Sequence, residues 1–387
     1  MLPPPFLAVL AWSLPLALTD DAPEVPVGVA RVDVTPDGPI RLTGYGNRST
    51  ESEGVTQPLW AKALAIGGDE GNGPAVLITV DNLGISDAMT SEVARVLADR
   101  AGLARDRLAI AASHTHTAPA LTHVAPFLFP QFPSPDEQAR IDRYTQELTQ
   151  KLTSVALEAL ADRRPARLDW GVGSAGFAAN RRVLRDGQWV GFGVNPEGPT
   201  DHSLPVLRAT DADGSTRALL SSYACHCTTL TGEFNSICGD WAGFAQEAIE
   251  RDHPGTLALI AIGCGADANP EPRGELSQAR DHGEAIARGV SQVLEGPMTP
   301  LGAVSEAKLA RIDLPFAPLP SRADWEAKAE LTNQEGLRAR TMLARLDRGE
   351  TIPEALADYP VQVWAFGDDL AMVFLAGEVV VDYAIHL

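Results

Sequence analysis

Basic side chains are scarce in this 387-residue sequence. It has 31 Lys and Arg against 51 Asp and Glu, which gives a formal net charge of −20 at pH 7. A surface with this excess of negative charge repels phosphate backbones and anionic lipid head groups. We therefore expect no nucleic-acid partner.

Long apolar runs are also missing. The run from Phe6 to Leu18 is shorter than a membrane span and is followed by acidic, proline-containing sequence. Such a segment is typical of a signal peptide, here residues 1–19, although no Lys or Arg precedes it; a plain apolar extension is the alternative. The sequence thus predicts a secreted or periplasmic protein with no integral membrane span and one large domain over residues 20–387.

Cysteine is rare, with Cys225, Cys227, Cys238 and Cys264 all in the middle of the chain. A domain of this size does not need disulfides to hold its core together. Cys225 and Cys227 flank His226, and in an extended segment both would point away from it. We expect the cysteines to be buried or disulfide-bonded, with a Cys/His structural zinc site as the alternative.

Apolar runs separated by helical patterns predict the fold. The runs that indicate buried strands are 75–80, 108–113, 219–225, 257–263 and 371–377. The segments with helical periodicity are 86–101, 134–164, 240–251, 275–294 and 321–348. Ser134 and Glu137 form a predicted capping box with proline between them. Strands that alternate with helices predict an α/β fold with a mixed β-sheet core flanked by helices.

Three of the predicted strands are followed by side chains of the types that commonly serve as metal ligands. "AIAASHTHTAP" places His114 and His116 at a strand exit, where an extended chain would point both to the same side. They could share one cation, or they could be hydrogen-bonded histidines at a strand end. His226 follows a second strand. Glu378 follows a third, as a metal ligand or as a solvated strand-end residue.

Several short motifs, in their order and wide spacing, resemble one enzyme family. "SHTHTAP", "YACHCTT", "GADANP" and "LAGEVVVDY" are similar to the N-terminal catalytic domain of the neutral/alkaline non-lysosomal ceramidases and their bacterial relatives. "GYG", "PLWAKALAI", "VDNLGIS" and "NRR" fit the same pattern. The resemblance covers most of residues 20–387. It implies a zinc-dependent amidohydrolase whose zinc-bound water attacks the amide carbonyl of an N-acylated lipid such as a sphingolipid.

The resemblance also implies roles for individual residues. His114, His226 and Glu378 would be the zinc ligands. His116 would lie at the substrate, and Arg181, after Asn180, would hold the substrate or its oxyanion. Two imidazoles and a carboxylate leave one zinc position open for water, and zinc lowers the pKa of that water to about 7.

Three further residues are candidates for supporting the site. Asp240 would orient a ligand histidine or, more simply, cap its helix. Asp267 would support the site or form a turn. Asn269 stands where the ceramidases have a serine, so it lacks the family's hydroxyl. The family's tyrosine near the metal would lie beyond Leu387, so we expect either a sequence that stops short of the domain end or a site completed differently.

Two alternative functions remain open at this point. A hydrolase on the same scaffold could cleave an ester or an N-acyl sugar. A non-catalytic extracellular binding protein could keep the fold without the reaction. The four side chains at strand exits favour an enzyme, because a purely structural role does not need them.

Overall fold

The computed structural model of the protein describes residues 23–387, so the predicted signal segment lies outside the described residues. The strands, in chain order, are β1 (Glu24–Asp33), β2 (Trp60–Ile66), β3 (Ala75–Val80), β4 (Leu108–Ala112), β5 (Arg164–Ser174), β6 (Ala178–Asn180), β7 (Arg182–Arg185), β8 (Gln188–Phe192), β9 (Ser203–Asp211), β10 (Thr216–Tyr223), β11 (Leu257–Ile262), β12 (Ala268–Pro270), β13 (Thr299–Leu301), β14 (Glu306–Pro315), β15 (Ala355–Phe366) and β16 (Leu370–Leu375). The helices are α1 (Asp87–Ala101), α2 (Pro135–Ala161), α3 (Asp240–Asp252), α4 (Leu276–Glu295), α5 (Arg322–Ala329), α6 (Gln334–Asp347) and α7 (Val381–His386).

One nine-stranded sheet forms the centre of the protein. Its order is β11-β10-β9-β5-β1-β2-β3-β4, and β13 also pairs with β5. The pairs at its two ends, β3 with β4 and β10 with β11, are parallel, and the other pairs are antiparallel. This mixed sheet confirms the predicted α/β fold. β4 and β11 also approach each other, and an isolated bridge joins Thr115 to Cys227, so the exits of β4 and β10 meet.

Apolar side chains cover both faces of this sheet. On one face, α1 and α2 pack over β1 to β4 in one cluster, and α3 and α4 pack over β9 to β11 in a second. A third cluster lies on the other face, where β15 contributes the buried Trp364 and Phe366. The helices therefore flank the sheet mainly on one side, and the three-stranded sheet β14-β15-β16 contributes to the packing on the other.

The predicted elements agree with the structure, with one exception. The strands predicted from apolar runs correspond to β3, β4, β10, β11 and β16, and the capping box of Ser134 and Glu137 is present at the start of α2. The single helix predicted over 321–348 is wrong. The chain breaks after α5, and the Asn333 side chain accepts a hydrogen bond from Gly336 N to start α6. Within residues 23–387, no helix combines the length and hydropathy needed to cross a bilayer.

Candidate metal centre and active site

His114 and His116 converge through a tight turn. β4 ends at Ala112, and His114 has φ of 57°, a left-handed conformation. The prediction of an extended chain at this exit is therefore wrong, because the backbone already turns at His114, the first histidine of the pair. The turn still brings the rings together, with the Nε2 atoms of His114 and His116 3.3 Å apart.

A backbone carbonyl holds the Nδ1 atom of each site histidine. The pairs are His114 with Leu83 O at 2.6 Å, His116 with Gly44 O at 2.9 Å and His226 with Gly265 O at 2.7 Å. Because a carbonyl oxygen can only accept, each Nδ1 carries a proton and donates it. In the neutral form of each ring, Nε2 is then the unprotonated nitrogen, as in histidines that bind metals.

Two glycines allow these carbonyls to come close. Gly44 has φ of 89°, and a Cβ there would lie 2.5 Å from the Cβ of His116. At Gly265 a Cβ would lie 2.4 Å from the backbone nitrogen of Cys225. Neither position can take a larger side chain without moving the neighbouring histidine segment.

Glu378 reaches the same point from a third segment. It follows Gly377, which has φ of 77°, after the end of β16. Its Oε2 lies 3.1 Å from His226 Nε2, and its Oε1 lies 3.8 Å from His114 Nε2. Arg181 Nη2 lies 3.1 Å from His226 Nε2 and 3.6 Å from Glu378 Oε2. The structure thus brings together all five side chains that the sequence predicted for the metal and the reaction.

This arrangement of acceptors fits a cation. One ring nitrogen from each of His114, His116 and His226 lies within 4.8 Å of the other two, and the Glu378 carboxylate lies 3.1 Å from His226 Nε2. Lone pairs so close together repel unless positive charge lies between them. Protons are a poor choice, because burial lowers the pKa of His114 to about 4 and that of His116 well below its usual value. Imidazole nitrogens and a carboxylate are donors that suit zinc.

The charges of Glu378 and Arg181 also fit a cation site. Contact with His226 and with the Arg181 guanidinium lowers the pKa of Glu378 to about 2, so this carboxylate is ionised near neutral pH. Burial lowers the pKa of Arg181 to about 10, which still leaves a guanidinium cation at pH 7. The site therefore contains neutral imidazoles at His114 and His116, one carboxylate and one fixed positive charge.

Tyr45 and Arg48 form a wall of the site that the sequence did not predict. The Tyr45 ring meets the His116 ring edge-on at 5.1 Å, and its hydroxyl donates to Leu230 O at 2.8 Å. Burial raises the pKa of Tyr45 to about 12, so its hydroxyl stays protonated. Arg48 is buried and donates to the carbonyls of Thr43 and His116. The "GYG" motif was the available signal for Tyr45, but Arg48 acts through backbone oxygens, which leave no motif.

Asp267 and Asn269 both contact the Arg181 segment. Asp267 Oδ1 accepts from Val381 N at 3.0 Å, and its carbonyl accepts from Arg181 N at 2.7 Å. Asn269 Oδ1 accepts from Arg181 Nη1 at 3.2 Å and from Thr228 Oγ1 at 3.1 Å. Asp267 thus links the segments that carry Arg181 and Glu378, and Asn269 orients the guanidinium.

Asp240 bonds the first turn of α3 from inside the helix, not from the N-cap position. It is the first residue of α3, whose N-cap is Gly239, and its Oδ1 accepts from Trp241 N at 2.6 Å. Its buried Oδ2 accepts from Leu230 N at 2.8 Å, which fixes the loop after His226. The next residue, Trp241, donates from Nε1 to the carbonyl of His226 at 2.9 Å. This segment therefore supports His226 through its backbone.

The four cysteines form no disulfide. Cys225, Cys227 and Cys238 are buried, and Cys264 is partly buried. Burial raises the pKa of Cys225 and Cys227 well above the usual value, so both are neutral thiols. Both belong to the apolar cluster under α3 and α4, and the histidine cluster of the described residues includes no cysteine. Of the predicted alternatives, buried thiols are confirmed, and neither the disulfides nor a Cys/His cluster is present among the described residues.

Fold and site together define an α/β protein with a cluster of three histidines and one carboxylate where the two ends of the central sheet meet. Residues 26–307 match the family model described as neutral/alkaline non-lysosomal ceramidase, N-terminal. The chain belongs to this family.

Two solved structures share the fold. The neutral ceramidase from Pseudomonas aeruginosa has a TM-score of 0.65 and 19% sequence identity over 89% of this chain and 61% of its own. A ceramidase described as complexed with C2 has a TM-score of 0.64 and 18% identity over 89% of this chain and 62% of its own. This chain thus spans about three fifths of the solved chains that it matches.

Proposed function

We propose that this protein is a zinc-dependent amidohydrolase that cleaves the linear amide of an N-acylated lipid. The observation that carries the proposal is the convergence of the Nε2 atoms of three histidines with the Glu378 carboxylate, beside the Arg181 guanidinium. Membership of the ceramidase family supports the reaction type. A metal-centred hydrolysis also needs unprotonated imidazole nitrogens and an ionised carboxylate. The surroundings of His114, His116 and Glu378 favour these states.

In the proposed site, His114, His226 and Glu378 hold the zinc. When bound, zinc acts as a Lewis acid and makes water a nucleophile near neutral pH. His116 then faces the substrate. The 3.3 Å separation between His116 Nε2 and His114 Nε2 would also allow His116 to serve as a further ligand, which is the alternative to its role at the substrate.

Arg181 and His116 carry the remaining chemistry. Arg181 stays protonated and donates to the oxyanion that develops on the amide carbonyl, where a fixed donor is worth several kcal/mol. His116 takes the proton that the attacking water loses and passes it to the leaving nitrogen, and the negative charge that develops on the substrate offsets the burial that lowers the pKa of the resting imidazole. Asn269 cannot supply the hydroxyl of the family's serine, but its contact with Arg181 keeps the oxyanion donor in place.

The proposal is tested by turnover of three substrate classes by zinc-loaded protein. We expect hydrolysis of ceramide or another N-acyl lipid, and an Arg181→Gln variant with kcat/KM reduced by about 100-fold because the oxyanion loses its charged donor. Short acyl esters and N-acetyl sugars serve as comparison substrates. Exclusive cleavage of an ester or an N-acetyl sugar would support the alternative hydrolases. No turnover of any of them, with zinc bound, would contradict the proposal.

We also propose that the protein is exported. The support is the apolar run from Phe6 to Leu18 and the acidic sequence after it. Amino-terminal sequencing of protein from the periplasm or the medium should find a mature chain that begins close to residue 20. Recovery of the intact chain from the cytoplasm alone would contradict export and leave the hydrolase proposal untouched.

A further inference from the structure

The β7-β8 hairpin exposes an apolar face. Register places Leu184 opposite Trp189 and Arg182 opposite Phe192. Leu184 is 53% exposed, Trp189 55% and Phe192 63%. The rings of Trp189 and Phe192 meet edge-on with centroids 5.6 Å apart. The three side chains thus form one continuous patch, which we name the hairpin patch.

Unlike core side chains, the side chains of the hairpin patch are exposed to solvent. β7 and β8 pair only with each other among the described strands, and the central sheet does not extend to them. Isolated hairpins are marginally stable in water, and a contiguous apolar patch on a surface is typical of a binding site. The hairpin patch therefore has the character of a contact surface.

The charges around the patch differ from those of the whole chain. Arg182 lies over the Phe192 ring at 5.3 Å, and Arg185 is exposed beside the turn that contains Asp186. Residues 181–186 thus carry three arginines and one acid in a chain with a net charge of −20. Aromatic rings flanked by arginines suit a lipid–water interface, where the rings sit at head-group level and the guanidinium groups reach phosphates.

The hairpin patch is continuous with the candidate active site. The Arg181 guanidinium also lies over the Phe192 ring, 4.9 Å from its centroid, and Arg181 Nη2 is 3.1 Å from His226 Nε2. Phe192, Val194 and Asn269 line a cavity of about 140 Å³. A path of contacts therefore runs from the exposed patch, past Phe192, to the metal centre.

We propose that the hairpin patch docks on the surface of a lipid aggregate and places the active site against it. Leu184, Trp189 and Phe192 enter the interface, and Arg182 and Arg185 contact phosphate groups. The aggregate is zwitterionic, because the net charge of −20 repels an anionic surface. The role in substrate delivery rests on the proposed function, but the docking itself does not.

Sedimentation with phosphatidylcholine vesicles tests the proposal. Wild-type protein should bind, and a Leu184→Ser/Trp189→Ser variant should partition at least about tenfold more weakly, because it loses two of the apolar side chains that enter the interface. Phe316→Ser, which alters an aromatic residue that is 50% exposed on a different segment, is the matched control and should bind as wild type does. Quenching of tryptophan fluorescence by brominated lipid should weaken in Trp189→Phe, although this variant still sediments.

Three results would overturn the docking proposal. These are wild-type protein that stays in the supernatant, a double variant that binds as well as wild type, and unchanged quenching in Trp189→Phe. A wild-type dimer that becomes monomeric in the double variant, measured by size-exclusion chromatography, would identify a second copy of this chain as the partner instead. Vesicle binding is measured without substrate, so a protein that binds vesicles but hydrolyses nothing would contradict the proposed function alone.

Discussion

At the scale of single residues, metal binding depends on which ring nitrogen of each site histidine carries the proton. A carbonyl fixes Nδ1 of each of the three site histidines, so their Nε2 atoms are free to bind a metal. The identity of the histidines followed from the sequence, because "SHTHTAP" and "CHC" follow apolar runs. The carbonyl partners did not, because any residue type provides a carbonyl and only the folded backbone decides where it points.

The role of His116 is separable from that of the ligands. We expect His116→Ala to retain zinc but to lose at least about 100-fold in kcat/KM, because the imidazole that moves the proton is gone. Elemental analysis and turnover of the same preparation provide the measurement. Loss of the metal from this variant would instead make His116 a ligand.

Asn82 should act as a positioning residue for His114. Its buried side chain accepts from Leu83 N at 2.8 Å and donates to Pro119 O at 3.2 Å, which restrains Leu83, the residue whose carbonyl holds His114. Asn82→Ala should weaken zinc binding by about tenfold, as measured by competition with a chelator. Asn72→Ala, which removes an exposed amide bonded to a carbonyl, is the control and should bind zinc as tightly as wild type.

At the scale of elements, apolar runs identified strands that are buried on both faces. β3 and β11 are of this kind, and their sequences contain almost no polar residues. β5 and β14 were not predicted, because they alternate polar and apolar residues and include arginines or lysines on exposed positions. The break between α5 and α6 was also missed, since a single Asn cap inside a charged, amphipathic stretch is a weak signal.

The start of α2 offers a stability test at this scale. Ser134 accepts from Glu137 N, and Glu137 bonds back to Ser134 N at 2.9 Å. Ser134→Ala should lower the free energy of unfolding by about 1 kcal/mol in urea titrations, because the first turn loses its cap. Ser154→Ala, an exposed change in the middle of the same helix, should have no cost or a small gain. Equal destabilisation by both variants would contradict a capping role.

At the scale of the whole molecule, the site exists because the two ends of the central sheet meet. The exits of β4 and β10 are joined by the bridge between Thr115 and Cys227, and the segment after β16 adds Glu378. The residues were predictable from strand exits. Their meeting was not, because β4 is the last strand in the order and β10 lies next to the strand at the opposite end, β11, and only the folded sheet brings β4 and β11 together.

The neutral histidines should make the metal-free protein sensitive to acid. The pKa of His114 is about 4 in the folded chain, against 6.5 ordinarily. Below pH 6.5 the unfolded chain binds a proton that the folded chain does not, so stability falls between pH 6.5 and pH 4, by at most about 1.4 kcal/mol per pH unit. Glu378, with its pKa lowered to about 2, continues the loss below pH 4.5. Urea unfolding of chelator-treated protein should show a shallower pH dependence in His114→Gln; an identical slope would contradict the predicted shift.

Metal content of the purified protein tests the central claim most directly. After incubation with zinc and removal of the excess, wild-type protein should retain about one zinc per chain. His226→Ala should retain almost none, while His123→Asn, an exposed histidine change outside the cluster, should match wild type. Folded wild-type protein that binds no zinc, or a His226→Ala variant that keeps a full equivalent, would contradict a metal centre built from His114, His226 and Glu378.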